Sequence, residues 1–485
     1  MVCSYFATNM KYQVSINKAF ENFIEIEAKI ISNNTEILLQ LPAWRPGRYE
    51  LANFAKNIRC FKAIAKNGAE LKVRKQTKDS WLIYNSENNA EITVSYEYYA
   101  NQLDAGACFI NEEQLYVNPV HCFMYEVGKM EEQFEVKLNI PADYKIACQL
   151  PSSNNILIAN NFDQLADSPF IASNTLQHHE FKVNNSNIHF WFQGKHELDL
   201  AQLETDTKAY TALQIDIFKE FPCTDYHFLY QILPIAFRHG VEHADSTVIA
   251  MGLGNEMLRD DFYNSLLAIS SHELFHMWNV KRIRPASMLP YDFTKENYST
   301  LGYIYEGITT YYGDLMLLRS GVWSWEQYVE SWNDDFLRHI SNPGNINYSV
   351  AESSFDTWLD GYVPGISARK VSIYIEGMLA AMIADLTIIK NSNGKYSLDN
   401  VMHDLYHLFY KNNKGYTEND YRKLLEKYGQ ESFEQFFTKN IWGKNNLIAD
   451  LQNILTYFGC SINNNKLTKD QNSENNLLFN FLLSR

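Results

Sequence analysis

His272-Glu273-Leu274-Phe275-His276 sets two imidazoles and a carboxylate at a spacing suited to metal-assisted hydrolysis. The apolar spacing from Phe262 to Val280 predicts a helix, on which positions i and i+4 share a face. His272 and His276 can then present two ring nitrogens to one cation. Glu273 stands beside that face, where it can take a proton from an activated water instead of binding the metal. Leu274 and Phe275 are apolar, as expected of a helix packed inside a protein. The alternative is two ordinary histidines and a helical Glu with no shared ligand. With only 13 histidines in the chain, H-E-x-x-H is rare by chance.

A catalytic zinc keeps three protein ligands and one open position. A third His ten residues after His272 would fall on Arg282, which excludes the H-E-x-x-H-x-x-G-x-x-H pattern. Glu306 follows His276 by 30 residues, enough for a loop and a returning helix. Its neighbours Ile304, Tyr305, Ile308 and Tyr311 are apolar or aromatic, so this Glu is expected to be paired or to hold a cation. Glu296, in Thr-Lys-Glu-Asn, reads as surface. A closed structural zinc site would be rich in Cys. The seven cysteines are scattered and odd in number, with no C-x-x-C, so they read as reduced thiols.

The elements that must hold these groups are predicted as follows. Residues 1–195 form a β-rich domain, with short strands such as Ile24–Ile31, Glu36–Leu41, Ala90–Tyr99 and Phe134–Ile140. A catalytic domain covers 196–325. It holds a helix over Leu198–Phe221, strands over Tyr226–Leu233 and Ser246–Met251, and a turn at His239-Gly240. A helical domain covers 326–464, and 465–485 is a polar tail. The fold class is multidomain α+β. A net charge of −15 argues against nucleic acid and anionic membrane surfaces as partners. No apolar run is long enough for a membrane span, and the N-terminus lacks a signal-peptide pattern. The expectation is a cytoplasmic protein, or a secreted or periplasmic one if a leader was removed. The oligomeric state is not indicated.

The run continues as Met277-Trp278-Asn279-Val280-Lys281-Arg282-Ile283-Arg284-Pro285. Together with Glu306-Gly307-Ile308-Thr309-Thr310-Tyr311-Tyr312-Gly313-Asp314 and Pro42-Ala43-Trp44-Arg45-Pro46-Gly47-Arg48-Tyr49, it resembles the glycyl aminopeptidase family of gluzincin metallopeptidases. The resemblance runs from about residue 10 to 462. It implies an N-terminal β-sandwich-like domain, a thermolysin-like catalytic domain and a helical C-terminal domain. It also implies one Zn²⁺ per chain, on His272, His276 and Glu306, with Glu273 as general base. The implied activity is removal of small N-terminal residues, Gly or Ala, from a peptide with a free N-terminus. Gly240-Val241-Glu242-His243 resembles the family's edge-strand motif, which makes Glu242 the anchor of the α-amine and Gly240 part of the substrate site. Tyr374 resembles the family's oxyanion donor. Asp314 is a candidate partner of the zinc histidines.

The chain departs from the pattern at His239, Val241 and Glu376, where relatives carry Gly, Leu and Lys. It is also expected to lack the PDZ domain found in many relatives. The competing readings are a zinc endopeptidase on the same site and an inactive peptide-binding relative.

Overall fold

The computed structural model describes residues 10–85, 90–253, 260–363, 365–444, 446–469 and 482. Most of the expected tail lies outside these residues. Alternating sequence builds the N-terminal unit. In Phe23–Ile31, Ile24, Ile26, Ala28 and Ile30 point into the core, while Glu25, Glu27 and Lys29 point away from it. This strand lies between Met10–Lys18 and Glu91–Tyr99 in a seven-stranded sheet, and two four-stranded sheets complete the unit.

The element that positions the chemistry is a five-stranded sheet. Its order is Gln177–Val183, Ser186–Gln193, Asp225–Ile232, Ser246–Leu253, Ala236–Glu242. The three central strands are parallel and each edge strand is antiparallel to its neighbour. The two strands spanning 177–193, which the sequence groups with the N-terminal unit, are thus part of this sheet. The turn expected at His239-Gly240 is not formed. Both residues lie inside the edge strand Ala236–Glu242 and pair with Ala250 and Ile249.

The motif helix, Asp260–Phe275, packs on this sheet and ends earlier than Val280. Beyond it the chain coils through tight turns, with Val280 at φ 147°. The next expected helix divides in two. Tyr303–Ile308 is a π-helical turn, a form often found at functional sites, and Thr309–Arg319 is α-helical. Helices Trp325–Ile340, Ile373–Asn391, Leu398–Leu408 and Glu418–Gly429 form the C-terminal unit. Residues 437–441 are π-helical and Ile448–Tyr457 is a further helix of this unit. Cys460–Asn463 pairs with Lys466–Lys469, so a short hairpin stands where the polar tail was expected to begin. One apolar core runs through all three regions, with Trp44 packed against Tyr291, Phe293 and Trp358 at their junction. No helix among the described residues is long and apolar enough to cross a membrane.

Candidate active site

His272 and His276 leave the motif helix on one face, as the i, i+4 spacing requires. Their Nε2 atoms lie 3.0 Å apart. The π-helical turn carries Glu306 to them, with Oε2 3.2 Å from His276 Nε2 and 3.8 Å from His272 Nε2. Glu306 is only 3% exposed. The π-turn and the helix bearing Tyr374 touch backbone to backbone, where a Cβ on Gly307 would come within 2.4 Å of the Gly377 Cα. That contact fixes Glu306 relative to Tyr374.

The neighbouring contacts suit a cation between these three side chains. His276 Nδ1 lies 2.7 Å from the Asn279 carbonyl, which can only accept, so Nδ1 carries the proton and Nε2 offers a lone pair. Asn279 is held in turn by its side-chain donations to the Ile304 carbonyl and to Thr309 Oγ1. Tyr49 donates to Glu306 Oε1 at 2.6 Å, while Glu306 Oε2 is buried without a hydrogen-bond partner. Acceptors that face one another with no donor between them match the donor set of a divalent metal. Where a proton instead of a cation sits on His276 Nε2, burial works to raise the Glu306 pKa, but the charge of His276 and the two rings' hydrogen bonds outweigh it and hold the carboxyl down at about 2.

Glu273 and Glu242 close the other side. Both are buried, and their carboxylates with His276 bring three ligand atoms within 4.8 Å of one another. Burial first, then the charges of Glu242 and Glu306, push the Glu273 carboxyl up to about 8 against the pull of His276. Burial likewise raises Glu242. Gly240 leaves room for this carboxylate, because a Cβ there would fall 2.1 Å from Glu273 Oε1 and displace it. Tyr374, half-buried, lies with its ring 6.4 Å from that of His272 and borders the same cleft of about 1380 Å³.

Three further residues have their own partners. Asp314 accepts from Ser331 at 2.6 Å, whereas the Asn279 carbonyl contacts His276 and Tyr49 contacts Glu306. Glu376, where relatives carry Lys, points to His339 at 2.7 Å. His243 is a plain structural histidine bound to Asp167 at 3.0 Å.

The residues after the motif now have physical roles. Lys281 donates to Asp167 at 2.7 Å, and Arg282 clamps the end of the edge strand through the Ala244 carbonyl and Asp245, both at 2.7 Å. The N-terminal block 42–49 reaches into the site. Arg48 pairs with Asp104 through two 2.8 Å contacts, Gly47 at φ 76° lies against the Glu242 carboxylate, and Tyr49 reaches Glu306. Residue patterns gave Tyr49 and Gly47 no role. The one available signal was the unusual density of Pro, Gly, Arg and aromatic residues in that block.

Residues 11–174 match the Peptidase M61 N-terminal domain and residues 265–380 match M61 glycyl aminopeptidase. An aminopeptidase N family protein from Idiomarina loihiensis superposes with a TM-score of 0.87 at 27% identity, covering 94% of this chain and 80% of that one. An M1 zinc metallopeptidase from Deinococcus radiodurans, of which a mutant was solved with a Tyr-Ser-Ala substrate, shares the fold. Its TM-score is 0.56 at 13% identity, over 90% of this chain and 94% of that one. No curated protein matches. The two domain matches together span more than half of the sequence, and the chain belongs to the M61 glycyl aminopeptidase family of metallopeptidases.

Proposed function

We propose that this protein is a zinc-dependent aminopeptidase that removes small N-terminal residues, Gly and Ala, from peptides. The observation that carries the reading is the third buried carboxylate. Glu242 sits at the end of an edge strand, beside Glu273 and His276, in a cleft large enough for an extended peptide. A buried anion there gains a charge-assisted contact from a substrate ammonium. A free amine held at Glu242 brings the first peptide bond to Glu273, so one residue leaves per turnover. The rings of Tyr49 and Tyr362, 6.4 Å apart, stand near these carboxylates and favour a small first side chain.

One zinc ion bound by His272, His276 and Glu306 would acidify a water molecule and polarise the scissile carbonyl. Glu273 takes the proton of the attacking water and passes it to the leaving amine. The Tyr374 hydroxyl donates to the oxyanion as the carbonyl becomes tetrahedral. Tyr49 occupies one oxygen of Glu306 and leaves the other for the cation. All six described cysteines are free thiols, which suits action in the cytoplasm.

The test pairs Gly and Ala reporter substrates with their N-acetylated forms, with and without a chelator. Cleavage of the free forms alone, abolished by chelation and restored by zinc, is the expected result. Equal cleavage of blocked and free forms would instead indicate an endopeptidase. No cleavage by zinc-loaded protein would indicate a peptide-binding relative.

A further inference from the structure

We propose that the far edge of the catalytic sheet carries a second divalent-metal site, formed by His178, Glu180 and His189. The strands Gln177–Val183 and Ser186–Gln193 pair antiparallel, with Glu180 directly opposite His189. Residues 178 and 180 share a face by the two-residue period of a strand, so all three side chains converge. His178 Nε2 lies 3.0 Å from His189 Nδ1, and Glu180 Oε2 lies 3.7 Å from that same nitrogen. The three ligand atoms fall within 4.8 Å of one another. These spacings reproduce those of the catalytic cluster, where the ring nitrogens are also 3.0 Å apart and Glu306 stands at 3.2 and 3.8 Å.

The surroundings prepare the rings as ligands. His189 Nε2 lies 3.1 Å from Asp225 Oδ1, which fixes the proton on Nε2 and turns the Nδ1 lone pair toward His178 and Glu180. Such a carboxylate behind a ligating imidazole is the usual outer support of a metal-bound His. An anionic Glu180 facing a lone pair is repelled unless a proton or a cation lies between them. The rings are held in place: His178 stacks on Trp191 at 3.8 Å, and His189 stacks on His227 at 4.4 Å. His189 is buried whereas His178 and Glu180 are exposed, so protein covers one side and solvent can complete the coordination. Two imidazoles and one carboxylate suit zinc or a neighbouring transition metal better than calcium or magnesium. Four inter-strand spacings separate this edge from Glu242, about 19 Å in all, so the site lies outside the catalytic centre. A metal there would tie the edge strand to its neighbour through side chains of both strands.

The experiment is equilibrium dialysis of the full chain against micromolar free zinc, with total zinc measured per chain. Wild type should hold two equivalents, and His178→Ala and Glu180→Ala one each. Both variants should cleave the Ala reporter within twofold of wild type, because His178 and Glu180 are exposed and remote from the cleft. His272→Ala should also hold one equivalent, retained at the far edge, and lose activity. One equivalent in wild type, or two retained by both edge variants, would overturn the proposal.

Discussion

The two edge strands of the catalytic sheet bear the same kinds of side chain in different settings. Ala236–Glu242 lies under the motif helix and against the loop that carries Gly47 and Tyr49. Gln177–Val183, at the other edge, exposes His178 and Glu180 to solvent. Each edge adjoins two imidazole nitrogens 3.0 Å apart with a carboxylate close by. A ligand set alone therefore does not make a catalyst. Around the first edge stand two more buried carboxylates, Glu273 and Glu242, a tyrosine near His272 and a large cleft, to which the proposed function assigns the base, the amine anchor, the oxyanion donor and substrate access. The second has ligands and an orienting Asp225 only.

Removing what is particular to the first edge should have the largest effect. Glu273→Gln should lower kcat by about 10²–10⁴-fold, the range for loss of a general base, while zinc content stays unchanged. Steady-state kinetics and metal analysis on one preparation check this. Glu242→Gln removes the anchor but not the base. It should lower kcat/KM for free-amine reporters by about 10–100-fold, the equivalent of one charge-assisted hydrogen bond, and leave N-acetylated forms as poor as before. Tyr49→Phe leaves every ligand in place and frees one oxygen of Glu306. Zinc affinity, read by competition with a chelator, should fall by about tenfold or more.

The smallest effect concerns how the first edge is anchored. His243 sits buried against Asp167, and burial outweighs that partner and lowers its pKa to about 4. An unfolded His takes a proton near about 6.5, so the folded state refuses a proton that the unfolded state accepts. His243 thus costs stability as pH falls from about 6.5 to 4. His243→Gln should flatten the fall in stability over that window by up to about 1.4 kcal/mol per pH unit. Denaturant melts at several pH values measure this.

Legibility in the sequence followed the range of the interactions. One helical turn puts His272 and His276 on one face with Glu273 beside it, so their proximity was legible from the spacing. The approach of Glu306 to them was legible because an acidic residue among Ile304, Tyr305, Ile308 and Tyr311 needs a partner. Tyr49 was not, because its partner is 257 residues away and only the packing of the N-terminal unit brings them together. The strand through His239-Gly240 was misread as a turn because Gly240 resembles punctuation. Its actual reason is the approach of Glu273, a contact between separate elements. The motif helix ends early because its backbone tightens there, with Met277 and Trp278 donating to the carbonyls of Leu274 and Phe275, three residues back instead of four. The sequence placed 177–193 in a β-rich region without marking individual strands there. Their membership of the catalytic sheet rests on a parallel pairing that no local pattern encodes.

The most direct test of the account is anomalous diffraction at the zinc edge from crystals of the zinc-loaded protein. Two clusters compete for the ion, because His276 belongs both to the group with His272 and Glu306 and to the group with Glu242 and Glu273. The account predicts a strong peak among His272, His276 and Glu306, with Glu273 and Glu242 outside the coordination sphere. A peak among Glu242, Glu273 and His276 instead would make the base and the amine anchor into ligands and would contradict it.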